Sequence, residues 1–257
     1  MRRLSLLILL LAGACGGDDD AGLGGDAGQD DPDGGGGAGE PDARLGEPGE
    51  PLGTFQLTYY WVAYEGDHPG AADSDLFDPD CALLATVSTD FADAIALEGT
   101  GRLLDGRLLN VAGGCDCATS PCFIEADADH PWGYGVQNRA LAPFRSVAVD
   151  RDVIEYGTGL YLPALDGRTM PGDAPWGDFS HDGCVVAADT GGGIVGMHVD
   201  FFVGIRDAYL SLDGELGMAE TEVRDGGERC GDESPPNGLL PVRHVFTGDD
   251  PVGPPSG

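Results

Sequence analysis

Large apolar side chains are not spread evenly along this chain: they begin in earnest near residue 54 and fall into short runs separated by Gly, Pro and Asp. The run Phe55-Gln56-Leu57-Thr58-Tyr59-Tyr60-Trp61-Val62, aromatic and β-branched, predicts a first strand. Cys81-Ala82-Leu83-Leu84-Ala85-Thr86-Val87 is a second apolar run, and residues 88–97 follow it with Phe91, Ala94, Ile95 and Leu97 on one face of a short helix. Glu98-Gly99-Thr100-Gly101 reads as a turn into a strand, and residues 107–112 as its partner, so Asp105-Gly106 marks a hairpin.

Beyond residue 140 the strand pattern strengthens. Ser146-Val147-Ala148-Val149-Asp150, Gly159-Leu160-Tyr161-Leu162-Pro163, Cys184-Val185-Val186-Ala187-Ala188-Asp189 and His198-Val199-Asp200-Phe201-Phe202-Val203 have the spacing of a small barrel. Because almost no segment is both long and 3.6-periodic, the expected class is all-β. Residues 115–137 carry three cysteines and two prolines with little periodicity, and are expected to form a disulfide-stapled insertion that need not be part of the core.

The chain ahead of the first strand is of another kind. Residues 1–15 run from Arg2-Arg3 through an apolar stretch to Ala12-Gly13-Ala14-Cys15, too short to span a bilayer and similar to a bacterial lipoprotein signal. Cys15 is then the lipidated first residue of the mature chain. Residues 16–53, rich in Gly and Asp, cannot bury enough apolar surface to order themselves and are expected to be a disordered tether. The expected folded domain is 54–248, followed by a loose tail, 249–257. An ordinary secretory signal is the alternative, and in either case the protein is exported.

Composition narrows the function. The net charge is −32, and 13 Arg with no Lys supply every fixed cation, which argues against nucleic acid as a partner. Six cysteines remain after Cys15, namely Cys81, Cys115, Cys117, Cys122, Cys184 and Cys230; an even count in an exported chain predicts three disulfides, with 15 possible pairings. A zinc site on Cys115, Cys117 and Cys122 lacks paired C-x-x-C spacing. His181 and His198 are expected to bond locally rather than hold a metal. Gly191-Gly192-Gly193 lacks the Lys-Ser of a phosphate loop, so no cofactor is expected. Tyr59, Tyr60, Trp61, Trp132, Tyr134 and Trp176 are candidates for stacking on sugar rings, or plain core and loop anchors.

Three aspartates end or interrupt apolar strands, Asp150, Asp189 and Asp200, where a carboxylate is costly unless paired or used. A turn-capping role is the simpler account of each. The combined pattern, Val147-Ala148-Val149-Asp150, Tyr156-Gly157-Thr158-Gly159-Leu160-Tyr161, Ala188-Asp189-Thr190-Gly191-Gly192-Gly193-Ile194-Val195-Gly196 and Val199-Asp200-Phe201-Phe202, resembles the 3D domain, named for three aspartates and found in the MltA type of lytic transglycosylase. The resemblance implies a six-stranded double-psi β-barrel, with Asp150, Asp189 and Asp200 as the three matching positions and Asp200 as the catalytic acid. Where the family often has Ala-Ile-Lys-Gly, this chain has Gly193-Ile194-Val195-Gly196, without the basic side chain.

It also implies the chemistry: peptidoglycan glycan strands as substrate and one carboxylic acid that protonates the leaving oxygen and then accepts a proton. Gly16 rather than an aspartate after the lipid cysteine resembles outer-membrane sorting, so a lipid-anchored monomer on the periplasmic face of the outer membrane is expected. The acid must hold its proton near neutral pH; Phe201 and Phe202 are expected to desolvate it and Asp189 to repel its charge, brought near by the glycines of 191–196. The competing function is a barrel module that binds cell wall without cleaving it.

Overall fold

The computed structural model describes residues 46–216 and 219–230. The signal segment, Cys15, most of the expected tether and the expected tail lie outside the described residues. In chain order the strands and helices are β1 (Pro51–Trp61), β2 (Ala63–Tyr64), β3 (Ser74–Phe77), β4 (Leu83–Val87), α1 (Thr89–Glu98), β5 (Thr100–Arg102), β6 (Leu108–Gly113) and β7 (Cys122–Glu125). There follow β8 (Ser146–Val149), β9 (Gly159–Tyr161), β10 (Cys184–Asp189), β11 (His198–Gly204), α2 (Arg206–Leu216), β12 (Glu220–Asp225) and α3 (Gly227–Cys230). Among the described residues no helix is long and apolar enough to cross a membrane.

Six strands close into a barrel in the order β1-β11-β8-β10-β9-β12. The pairs β1/β11 and β8/β10 are parallel, and the other four contacts around the ring are antiparallel. Every barrel strand sends alternate side chains inward: Phe55 and Leu57, Val199 and Phe201, Val147 and Val149, Val185 and Ala187, Leu160, and Val223 meet in one buried cluster. Complete burial of a side chain such as Phe201 is worth about 1.5–3 kcal/mol. β1 begins at Pro51, so the last three residues of the expected tether already belong to the strand, where Pro51 and Gly53 pair with Arg224 and Val223.

The protein is mostly β; α1 is the short helix expected from the sequence, while α2 and the one-turn α3 were not expected. α1 forms where the periodicity places it: the Ser88 side chain accepts a hydrogen bond from the Phe91 amide, and Gly99 ends the helix at φ +82°. α2 departs further. Its apolar residues Ala208, Leu212 and Leu216 recur every fourth position and pack on the barrel cluster, but the polar and glycine residues between them dilute the pattern in the sequence.

The chain between β1 and β8 forms a second body of structure rather than a loose insertion. β2, β5, β6 and β7 make a four-stranded sheet, β3 and β4 a hairpin, and Phe91, Ile95, Leu109 and Phe123 share a cluster of their own. The cysteine-rich stretch, stapled by disulfides as expected, also takes part in the core: Phe123 is buried on β7, and Trp132 packs on the outer face of the barrel beside Phe202. Pairing the six cysteines gives Cys81–Cys117, Cys115–Cys122 and Cys184–Cys230. The closeness of Cys115, Cys117 and Cys122 follows from two adjacent disulfides, which occupy the sulfurs a zinc ion would need.

Candidate active site

The outward positions of the barrel strands carry the candidate chemistry. On β1 these are Gln56, Thr58 and Tyr60; on β11 they are His198, Asp200 and Phe202. Thr58 pairs with Asp200, Asp200 with Ala148, and Ala148 with Asp189, so four residues from β1, β11, β8 and β10 stand in one row. Directly paired residues project to the same side, which puts Asp200 and Asp189 on one face with a methyl group between them.

Asp189 reaches this face through a bulge. Ala187 is inward and pairs with Val147, yet Asp189, two residues on, pairs with outward Ala148. The extra residue, Ala188, turns Asp189 from the barrel interior to the outside. Its Oδ2 accepts a hydrogen bond from the Tyr60 hydroxyl at 2.9 Å, and its Oδ1 accepts one from the Thr190 amide at 2.8 Å. Burial raises the Asp189 carboxyl to about 6, the two hydrogen bonds oppose the shift, and the charge of Asp200 adds to it.

Asp200 keeps part of its surface open, but the surrounding protein desolvates it and holds its carboxyl above the ordinary range. Thr58 opposes that shift by donating a 2.6 Å hydrogen bond from Oγ1 to Oδ1 of Asp200. The same Thr58 oxygen lies 2.8 Å from Nε2 of His198. Phe202, on the same face as Asp200, lines this region, whereas Phe201 points into the barrel; only one of the two phenylalanines expected beside the acid shares its face.

Asp150 is apart from this group. It stands just past β8 and caps a turn, accepting from the Asp152 amide at 2.9 Å and from the Gly196 amide at 2.6 Å, and these bonds lower its carboxyl below the ordinary range. The glycine-rich stretch thus closes onto Asp150, while a bulge rather than that stretch brings Asp189 towards Asp200. Of the three aspartates, two stand in one cross-strand row with Ala148 between them, and the third fastens the neighbouring loop.

Glu98 is the residue that pattern reasoning assigned only to a turn. It is the last residue of α1, its Oε2 accepts from the Trp61 amide at 3.1 Å, and burial raises its carboxyl to about 7, with Asp200 contributing further. The Trp61 amide is on the side of β1 away from β11, beyond the last β12 pair at Gln56. Thr58 was legible in principle as the polar, outward position of an otherwise aromatic strand; nothing local marks Glu98.

The remaining candidates have local roles. His181 is buried, accepts from the Gly183 amide on Nδ1 at 2.8 Å and donates from Nε2 to the Phe144 carbonyl at 2.6 Å; burial lowers it to about 4. Tyr59 faces the barrel cluster, Trp61 stacks on Tyr209 at 4.9 Å, and Tyr134 lies against His130. Trp132 is buried and meets the half-buried Trp176 edge-on at 5.6 Å, next to Ala148, Ala188 and Phe202. Gly135 approaches the Ala188 carbonyl so closely that a Cβ has no room, which seats the insertion against β10 beside Asp189.

Residues 145–220 match the family model of the 3D domain, a span that contains all three aspartates. Among solved structures, the chain is similar to Escherichia coli MltA with bound chitohexaose, at 17% identity over 67% of this chain and 71% of that one, with a TM-score of 0.46. It is also similar to a membrane-bound lytic murein transglycosylase from Agrobacterium tumefaciens (17% identity, 67% and 72% covered, TM-score 0.41). A third is MltA from Neisseria gonorrhoeae (15% identity, 76% and 72% covered, TM-score 0.37). No curated protein matches the chain.

Proposed function

We propose that this chain, which carries a 3D domain across residues 145–220, is a peptidoglycan-cleaving lytic transglycosylase of the cell envelope with Asp200 as its general acid and base. One observation carries the proposal: Asp200 and Asp189 stand in the same cross-strand row, both with raised carboxyls, on a face that remains partly open. Raised carboxyls at an accessible site are what proton transfer near neutral pH requires. In this reading the barrel is of the double-psi type, consistent with its two parallel strand pairs.

The chemistry needs one proton carrier. Protonated Asp200 gives its proton to the oxygen bridging two sugars, and the bond from that oxygen to the anomeric carbon breaks. The 6-hydroxyl oxygen of the same muramic acid residue bonds to the anomeric carbon, and its proton returns to Asp200. Water is not consumed and the acid is regenerated. Asp189, held by Tyr60, supplies a nearby negative charge that favours the developing oxocarbenium ion, and Asp150 contributes by fastening the loop through Gly196. Cys15 carries lipid, residues 16–53 tether the domain, and a monomer works at the periplasmic face of the outer membrane.

The test is digestion of purified peptidoglycan by the full-length chain beside Asp200→Asn, with mass spectrometry of the products. Anhydromuropeptides from the parent and none from the variant are expected. If the folded, disulfide-bonded parent sediments with peptidoglycan yet releases nothing, the chain is a binding module and the enzymatic proposal falls.

A further inference from the structure

The hydrogen bonds around Asp200 form a line with a direction. A threonine hydroxyl has one proton to give. Thr58 Oγ1 lies 2.6 Å from Asp200 Oδ1 and 2.8 Å from His198 Nε2, so it serves both neighbours at once only by donating to one and accepting from the other. An ionised carboxylate has no proton, so Thr58 donates to Oδ1, and His198 must then carry a proton on Nε2 and donate to Thr58. The three side chains are fixed by strand geometry: Thr58 and Asp200 are a direct pair across β1 and β11, Gln56 pairs with His198, and His198 precedes Asp200 by two residues on the same face.

We propose that His198 and Thr58 are positioning residues that reserve Oδ1 of Asp200 as a hydrogen-bond acceptor, so that the transferable proton is carried on Oδ2. This rests on the assignment of Asp200 as the acid. With Oδ1 engaged, the carboxyl plane cannot rotate freely, and the free oxygen is the one that meets the bridging oxygen of the glycan. If His198 instead carried its ring proton only on Nδ1, its bare Nε2 would accept from Thr58, and Oδ1 would be left to take the acid proton itself. The polarity of the line therefore decides which oxygen reacts. Other ionisable groups around it are Asp189 beyond Ala148, Tyr60 on β1 and Glu98 at the end of α1, and each is coupled to Asp189 or Asp200 rather than hydrogen-bonded to His198.

Two readouts on the full-length chain test this, and the first requires no activity. Long-range proton–nitrogen NMR on the His198 ring, at a pH where the ring is neutral, is expected to show the proton on Nε2; a proton on Nδ1 overturns the proposal. The Asp200 carboxyl, followed by carbon NMR and assigned by loss in Asp200→Asn, is expected to titrate at higher pH in Thr58→Val and near the parent value in Thr58→Ser. If the parent also cleaves peptidoglycan, Thr58→Val and His198→Ala lower kcat about tenfold with KM within about twofold, while Thr58→Ser recovers most of the loss. An unchanged titration and an unchanged kcat in Thr58→Val overturn the proposal. A shifted titration in a chain that cleaves no glycan upholds the hydrogen-bonded line and sinks the enzymatic assignment instead.

Discussion

Replacing Asp189 by Asn isolates the energetic cost of keeping a carboxyl on this face. The unfolded carboxyl titrates near 3.8 and the folded one at about 6. Below the unfolded value both states are protonated and folding carries no penalty. As pH rises from there through about 6, the unfolded chain releases its proton first, so native stability falls; above that range both states are ionised and the full penalty is present. A shift of about two units corresponds to about 3 kcal/mol.

Asn removes this pH-dependent term but accepts through only one oxygen. It leaves either the Tyr60 hydroxyl or the Thr190 amide without its acceptor, at about 1–3 kcal/mol that changes little with pH. The variant is therefore expected to be less stable than the parent at pH 4 and to gain about 3 kcal/mol relative to it by pH 8. Urea unfolding of both proteins at unit steps of pH, disulfides intact, measures the difference. A difference that is flat, or that moves against the variant as pH rises, refutes the assignment of a raised carboxyl to Asp189. Because Asp200 contributes to the shift, the gain is expected to be smaller when the substitution is made in an Asp200→Asn background, which a double-mutant cycle measures.

Further outcomes follow from other parts of the structure. Replacing Cys184 and Cys230 by Ala opens a link across 46 residues and is expected to lower stability by about 4 kcal/mol, read as a fall in Tm. Leu212→Ala, at a fully buried position of α2 against the barrel, is expected to cost about 2–5 kcal/mol in urea unfolding. Asp150→Ala frees the Gly196 amide and is expected to retain far more glycan cleavage than Asp200→Asn, measured by product release. Equal losses in the two variants would contradict the separation of Asp150 from the Asp189 and Asp200 pair.

Most of the barrel strands were legible because their apolar residues alternate or run without interruption: β8, β10 and β11 lie within a residue or two of where the pattern puts them. α2 and β12 were not, since Gly214 interrupts the one and Glu220, Glu222 and Arg224 make the other largely polar. The aspartates were visible as carboxylates out of place in apolar runs, but their relation was not. Which of them share a face depends on a bulge at Ala188 and on pairing through Ala148, and sequence spacing says nothing of either. Glu98 enters only because the Trp61 amide on β1 meets the end of a helix, a contact between segments 37 residues apart.

β1 has a consequence for how the molecule comes into being. Its two neighbours in the ring, β11 and β12, are drawn from residues 198–225, while β1 itself begins at residue 51. A chain emerging from its N-terminus can assemble the intervening four-stranded sheet early, because those pairings are local, but its first barrel strand has no partner until nearly all the described residues have appeared. Thr58 and Asp200 meet only in that last closure. Assembly of the barrel and arming of its carboxyl are then a single late event, and a truncated or still-emerging chain is structurally incapable of holding the group in its reactive setting.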